Sequence, residues 1–224
     1  MDAGATLHAM ATRKAPQGTL VLLVRHGATP TTGKVMPGRA PGLHLSEAGQ
    51  AQAAAVAERL ATLKLDAIYT SPLERASETA AATAAATGLT PIEEPGLLEA
   101  DVGEWTGKTL ASLARLKEWR GVHGSPSTFR FPGGESLAEA QARVVAVLDR
   151  VHAAHPGGTV ACFSHADPIR LGLVFALGAP LDAFGRVVVD TGSISALRFT
   201  TGHPPQVLST NTVTGPPTGL ASEG

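Results

Sequence analysis

Thr19-Leu-Val-Leu-Leu-Val-Arg-His-Gly27 is the stretch on which the fold turns. Its apolar, β-branched run breaks into polar residues and then glycine, the pattern of a strand buried on both faces of a parallel sheet. Two shorter runs of the same kind follow, Ala67-Ile-Tyr-Thr70 and Thr159-Val-Ala-Cys-Phe163. Between them the apolar residues fall at helical spacing. Ser46 is a good N-cap for a helix that places Val56, Leu60 and Leu63 on one face. Ser71-Pro72 reads as an N-cap with proline in the first turn, and Gly88 marks that helix's far end. A further helix is expected from Thr109 to Trp119. Ser136 and Glu139 form a capping-box pattern opening a helix that turns Leu137, Ala140, Val144, Leu148 and Val151 inward until Pro156-Gly-Gly158 ends it. Another runs from about Asp167 to Leu177 and stops at Gly178. Strands near Val187–Val189, Ile194–Phe199 and Gln206–Ser209 complete the sheet. This alternation predicts an α/β fold of three layers, α/β/α: a doubly wound, mostly parallel sheet with helices on both faces. The Pro- and Gly-rich loop from Gly121 to Gly134 supplies a small loop and helix cover.

The chain of 224 residues is long enough for one large domain, expected over residues 18–212. Residues 1–17 lack apolar periodicity and are expected to form a flexible leader; residues 213–224, rich in Pro, Gly, Ser and Thr, a flexible tail. The formal net charge of −1 gives no basic excess to attract nucleic acid or an anionic membrane, so any anion site must be local. No continuous apolar stretch has the length of a membrane span. The single cysteine, Cys162, has no internal disulfide partner and points to a reducing cytoplasm. Inside an apolar strand it reads as a small core residue rather than a reactive thiol. Trp105 reads as packing in the Gly103–Gly107 turn. His152 and His155 stand one turn apart, yet no further motif completes a metal site, and an exposed helix end is the expectation.

In open α/β sheets ligands bind outside the carboxyl ends of the strands. The residues just past the three apolar runs are Arg25-His26-Gly27, Ser71-Pro-Leu-Glu-Arg75 and Ser164-His165. If these strands are neighbours, two arginines and two histidines share one crevice with the N–H groups of two helix starts. Guanidinium forks suit phosphate oxygens and keep their charge. A histidine among such donors either binds phosphate or attacks phosphorus in line, and cationic side chains can neutralise the equatorial oxygens without a metal ion.

Six blocks then appear in order: Val24-Arg-His-Gly27, Leu45-Ser-Glu-Ala-Gly-Gln50, Ser71-Pro-Leu-Glu-Arg-Ala76, Leu98-Glu-Ala-Asp-Val-Gly-Glu-Trp-Thr-Gly107, Phe131-Pro-Gly-Gly-Glu-Ser136 and Phe163-Ser-His165. On these blocks the sequence, from about Leu20 to Thr212, resembles the histidine phosphatase superfamily, the phosphoglycerate-mutase-like group, and within it a bacterial branch of broad phosphatases and probable phosphomutases. The resemblance implies that His26 is the nucleophile, that Arg25, Arg75 and His165 hold the phosphoryl group, and that Glu99 is the proton donor, with Asp101 and Glu104 as rivals. It makes Thr29, Thr32, Arg39 and Ala166 the secondary contacts to phosphate and substrate. Ala28, Thr32 and Ala166 depart from the residues common in the family, Glu, Asn and Gly respectively, which puts one phosphate contact and the approach beside His165 in question.

The function this implies is a metal-independent phosphomonoesterase of a small phosphorylated metabolite, working through phosphohistidine with no cofactor. The alternatives are a phosphomutase with the same nucleophile and a non-catalytic phospho-ligand sensor on the same fold. The chain is short between Glu99 and Gly134, where glycolytic mutases carry extra substrate-gripping residues, and this tilts the reading to hydrolysis. Substrate identity and oligomeric state stay open, a homodimer being compatible with the sequence.

Overall fold

The structure, a computed structural model, describes residues 18–213. The leader expected over residues 1–17, and the tail from residue 214 onward, lie outside the described residues. Six strands make one sheet in the order β3-β2-β4-β1-β5-β6. They are β1 (Thr19–Arg25), β2 (Ala67–Thr70), β3 (Pro91–Glu93), β4 (Thr159–Ser164), β5 (Ile194–Phe199) and β6 (Gln206–Thr212). The first four in sheet order run parallel, while β5 lies antiparallel to β1 and β6 antiparallel to β5.

Period-two alternation along the buried strands sends side chains to two apolar layers. Val21 and Leu23 of β1 and Val160 and Cys162 of β4 meet α5 (Leu137–Ala154) and α6 (Ala166–Ala176) on one face. Leu22 and Val24 of β1 with Ala161 and Phe163 of β4 meet α1 (Glu47–Ala61) and α2 (Glu74–Thr87) on the other. Each fully buried Leu or Phe there contributes roughly 2 kcal/mol by leaving water. Cys162 is fully buried as well, and burial pushes its thiol up to about 12. Among the described residues no helix is long and apolar enough to cross a membrane.

The Ser136–Glu139 capping box forms in full and opens α5 as expected. Ser46 caps α1, its hydroxyl accepting from the Gly49 N–H, but the helix ends at Ala61, so Leu63 lies beyond it and is exposed. The helix expected from Thr109 to Trp119 is broken into α3 (Leu110–Leu113) and α4 (Trp119–Gly124). The reason is geometric. Leu113 and Val122 are both buried in one cluster, and nine residues of continuous helix, at about 100° each, would set them on opposite sides. The break lets Trp119 reach Trp105, ring centroids 5.7 Å apart. Trp105, Phe129 and Phe131 form the centre of this cover cluster with Leu171 and Phe184.

Val187–Val189, expected as a strand, pairs with no other strand. Its carbonyls serve guanidinium groups instead: Val189 accepts from Arg25 at 2.6 Å and Val187 from Arg170 at 3.0 Å. The short edge strand β3 was not signalled by any apolar alternation, since two of its three residues are exposed. His152 and His155 are half-buried rather than exposed, packed beside Thr19 and Tyr69 through hydrogen bonds of 2.9 and 3.0 Å.

Candidate active site

Pairing register lines up the carboxyl edge. Arg25 lies opposite Ser164 and Thr70 opposite Phe163, so His26 and His165 come next side by side, with Ser71 one step before them beside Ser164. The ladder continues past the strands, with the His26 N–H donating to the Ser164 carbonyl (3.0 Å) and the Ser71 N–H to the Phe163 carbonyl (2.9 Å). Beyond His26 the chain lies directly on the start of α1. A Cβ on Gly27 would come within 2.3 Å of the Gly49 carbonyl oxygen, and one on Gly49 within 1.9 Å of the Ala28 oxygen. The Gly27 N–H donates to Thr79 of α2 (3.0 Å) and the Ala28 N–H to Gln52 of α1 (2.8 Å), so two helices hold the turn that carries the imidazole.

His26 Nδ1 is 2.7 Å from the Gly27 carbonyl, which can only accept. The proton therefore sits on Nδ1 and Nε2 keeps its lone pair. Burial, reinforced by the charges of Arg25 and Arg75, pushes the His26 imidazole down to about 3. It is neutral at working pH. The His165 ring stands 5.2 Å away, centroid to centroid, and burial with the neighbouring cations holds it well below the ordinary imidazole range. Its Nε2 is 2.8 Å from Ser71 Oγ. Ser71 is thus a partner of His165 rather than the N-cap of α2, a place taken by Leu73 with no side-chain bond. The Ser71 hydroxyl also accepts from the Leu73 N–H at 3.4 Å, and α2 itself begins at Glu74.

Arg75 is fully buried, with Nη2 donating to the Gly38 carbonyl at 2.9 Å. Its Nε and Nη1, Arg25 Nε and His165 Nδ1 are buried without a hydrogen-bond partner among the described residues. Unpaired buried donors cost about 1–3 kcal/mol each. Burial lowers both guanidinium groups from their ordinary values, with Glu99 opposing the shift.

Glu99 and Arg25 line one cavity of about 220 Å³ with Met36, Val102, Asp167 and Arg170. Its carboxyl is raised to about 7, first by burial and next by the charge of Asp167, against the pull of Arg75, the Ala100 N–H and Arg25. Asp101 turns away to the Gly103 N–H (3.0 Å), and Glu104 is exposed. Ala166 opens α6 and lines the same cavity. Thr29 is buried, its backbone N–H and hydroxyl both meeting the Thr32 hydroxyl, at 2.8 and 3.1 Å, which leaves Thr32 as a local turn partner on the exposed side. Arg39 is committed to protein: its Nε donates to the Glu99 carbonyl and its Nη2 to Glu135, both at 2.8 Å.

Three features lay outside the sequence reading. Asp167 bonds Arg170 at 3.1 Å on the cavity wall; its place just after Ser164-His-Ala166 was the available signal. Ser71, whose sequence context predicts a helix cap, pairs with His165. Glu135 and Arg143 join Arg39 in an ion-pair group behind Glu99, and only the spatial fold brings those positions together. Among the described residues no three His, Cys, Asp or Glu side chains gather as a metal site.

The family profile of the histidine phosphatase superfamily (branch 1) matches residues 21–212. The chain is 35% identical over 184 residues to phosphoserine phosphatase 1 of Hydrogenobacter thermophilus, covering 80% of this chain and 86% of that protein. It is 32% identical over 182 residues to a protein of Cronobacter sakazakii named a probable phosphoglycerate mutase, covering 80% and 84%. It spans about half the length of further mycobacterial relatives matched at 36% identity. Among solved structures, a mycobacterial glucosyl-3-phosphoglycerate phosphatase superposes with a TM-score of 0.78 at 25% identity, over 87% of this chain and 99% of that one.

Proposed function

The chain belongs to the histidine phosphatase superfamily, and from that footing we propose that it hydrolyses small phosphate monoesters through a phosphohistidine on His26. One observation carries the reading: guanidinium donors of Arg25 and Arg75, with the Nδ1 of His165, lie buried and unpaired among the described residues, around an imidazole whose own Nδ1 is already engaged. A phosphoryl group offers these donors their acceptors and offsets the cost of crowding cations in low dielectric.

In the first step the His26 Nε2 lone pair forms the P–N bond as the P–O bond to the leaving group breaks. Glu99, held partly protonated near pH 7, gives its proton to the departing oxygen. In the second, water attacks phosphorus, its proton passes to the Glu99 carboxylate, the P–N bond breaks, and inorganic phosphate leaves. Arg25, Arg75 and His165 stabilise the charge on the equatorial oxygens in both steps. A cavity of about 220 Å³ beside the cage favours a compact metabolite over phosphoprotein. The phosphatases and the mutase-named protein among its relatives support both hydrolysis and transfer as chemistries of this nucleophile, and the short cover favours hydrolysis. The single buried cysteine supports a cytoplasmic location.

The test measures phosphate release from p-nitrophenyl phosphate and from a panel of metabolite phosphates, with chelator present, against interconversion of phosphoglycerates. Release unaffected by chelator, with phosphoglycerate interconversion at background, is expected. Vigorous interconversion with negligible release would make the chain a mutase.

A further inference from the structure

Glu99 sits in an irregular stretch between two single 3₁₀ turns, yet its main chain is gripped by side chains drawn from distant parts of the sequence. Arg39 Nε donates to the Glu99 carbonyl at 2.8 Å, and the same guanidinium donates through Nη2 to Glu135 Oε1. Glu135 accepts further hydrogen bonds from Arg143 Nε (3.0 Å) and Nη2 (2.9 Å) and from the Asp101 N–H (3.1 Å). Arg143 Nη1 in turn donates to the carbonyls of Gly96 (2.8 Å) and Leu98 (2.9 Å). The chain is therefore tied at positions 96, 98, 99 and 101, and every tie leads to one carboxylate.

We propose that Glu135 is a positioning residue: through Arg39 and Arg143 it sets the backbone on both sides of Glu99, and so aims the Glu99 carboxyl at the leaving oxygen without touching substrate. The inference rests on the reading of Glu99 as the proton donor. Arginine forks suit the task, since one planar group reaches a carboxylate and a carbonyl together. The Glu135 and Arg143 side chains are only 19% and 21% exposed, so solvent screens their pairing less than it would a surface bridge. Burial alone would raise the Glu135 carboxyl, but the Arg143 hydrogen bond, the Asp101 N–H and the charges of Arg143 and Arg39 outweigh it and lower it. The clamp thus stays ionised through the range in which Glu99 exchanges its proton. Arg39, with Nε and Nη2 both spent on protein, is a link in this clamp rather than a hand for substrate.

The experiment compares kcat and KM for glycerol phosphate, a poor leaving group, and p-nitrophenyl phosphate, a good one, in the full chain and in Glu99→Gln, Glu135→Gln, Arg39→Met and Glu99→Gln/Glu135→Gln. Glu135→Gln and Arg39→Met are expected to lower kcat on glycerol phosphate about tenfold, with a smaller loss on p-nitrophenyl phosphate and little change in KM. In the Glu99→Gln background, adding Glu135→Gln should cost less than about twofold, because the group being aimed is gone. Equal losses on both substrates that multiply with Glu99→Gln would reduce Glu135 to a fold-supporting residue. A raised KM with kcat intact in Arg39→Met would make Arg39 a substrate contact and overturn the clamp. If Glu99→Gln itself fails to discriminate the two leaving groups, the proton-donor reading and the clamp fall together; if it discriminates and Glu135→Gln does not, the clamp alone falls. Should Glu135→Gln not fold, Arg39→Met, which keeps the Glu135–Arg143 pair, decides the matter.

Discussion

On the strand side of the crevice, Arg25 Nε, Arg75 Nε and Nη1 and His165 Nδ1 face no acceptor among the described residues. Across it, on the loop side, Arg39 and Arg143 are closed on Glu135 and on main-chain carbonyls. The same residue type does two jobs. Open guanidinium groups store unfavourable energy that an incoming dianion relieves; closed ones spend their bonded donors on fixing geometry. The comparison teaches that a cation's role in such a site is read from which of its donors are still free.

The sharpest way to break this contrast is to remove the group on which the open side converges. His26→Ala is expected to cut kcat by about 10³-fold or more on good and poor leaving groups alike, as loss of a covalent nucleophile does. Phosphate release within tenfold of the parent chain would mean that the open donors serve a binder or a different nucleophile. A smaller effect is expected from the loop side. Glu99→Gln should cost about 10²-fold on alkyl phosphates, and the pH profile separates the two sides. The parent chain's kcat/KM should decline above about pH 7 as Glu99 loses its proton, while the variant shows no such limb. An unchanged limb would assign it to another group.

The smallest effect concerns stability. The His26 imidazole falls from an ordinary 6.5 to about 3 in the folded chain, so between those values the unfolded chain binds the extra proton. Stability should therefore fall with acidification through that window, by about 1.4 kcal/mol per pH unit for one proton, and be insensitive to this group above it. Thermal melts should show a shallower acid slope for His26→Ala than for the parent chain. Identical slopes would mean that burial and the neighbouring cations do not depress this imidazole.

The strand side was legible because its signals are local. Apolar runs at Thr19, Ala67 and Thr159 end in Arg25-His26, Ser71 and Ser164-His165, and parallel pairing in register brings those ends together. Arg75 was legible through its block, although its full burial was not. The loop side was hidden because Arg39, Glu135 and Arg143 stand up to about a hundred residues apart and meet only through long-range packing; the spacing of Arg39 from Glu99 carries no hint that it binds that residue's carbonyl. Short-range errors have their own causes. Ser71-Pro72 has the chemistry of a helix start, but a hydroxyl beside a buried ring is worth more to that ring. Val187–Val189 has the composition of a strand, but its carbonyls are claimed by Arg25 and Arg170.

The contact between Gly27 and Gly49 reaches further than the turn it makes. Each bare α-carbon faces main-chain atoms of the other segment, so a methyl group at either site finds no side chain that could retreat, and no second substitution can compensate for it. The close approach that seats the nucleophile's turn on α1 is thereby set by main-chain atoms, insulated from whatever drift in the cover and cavity walls adapts the protein to one ester or another.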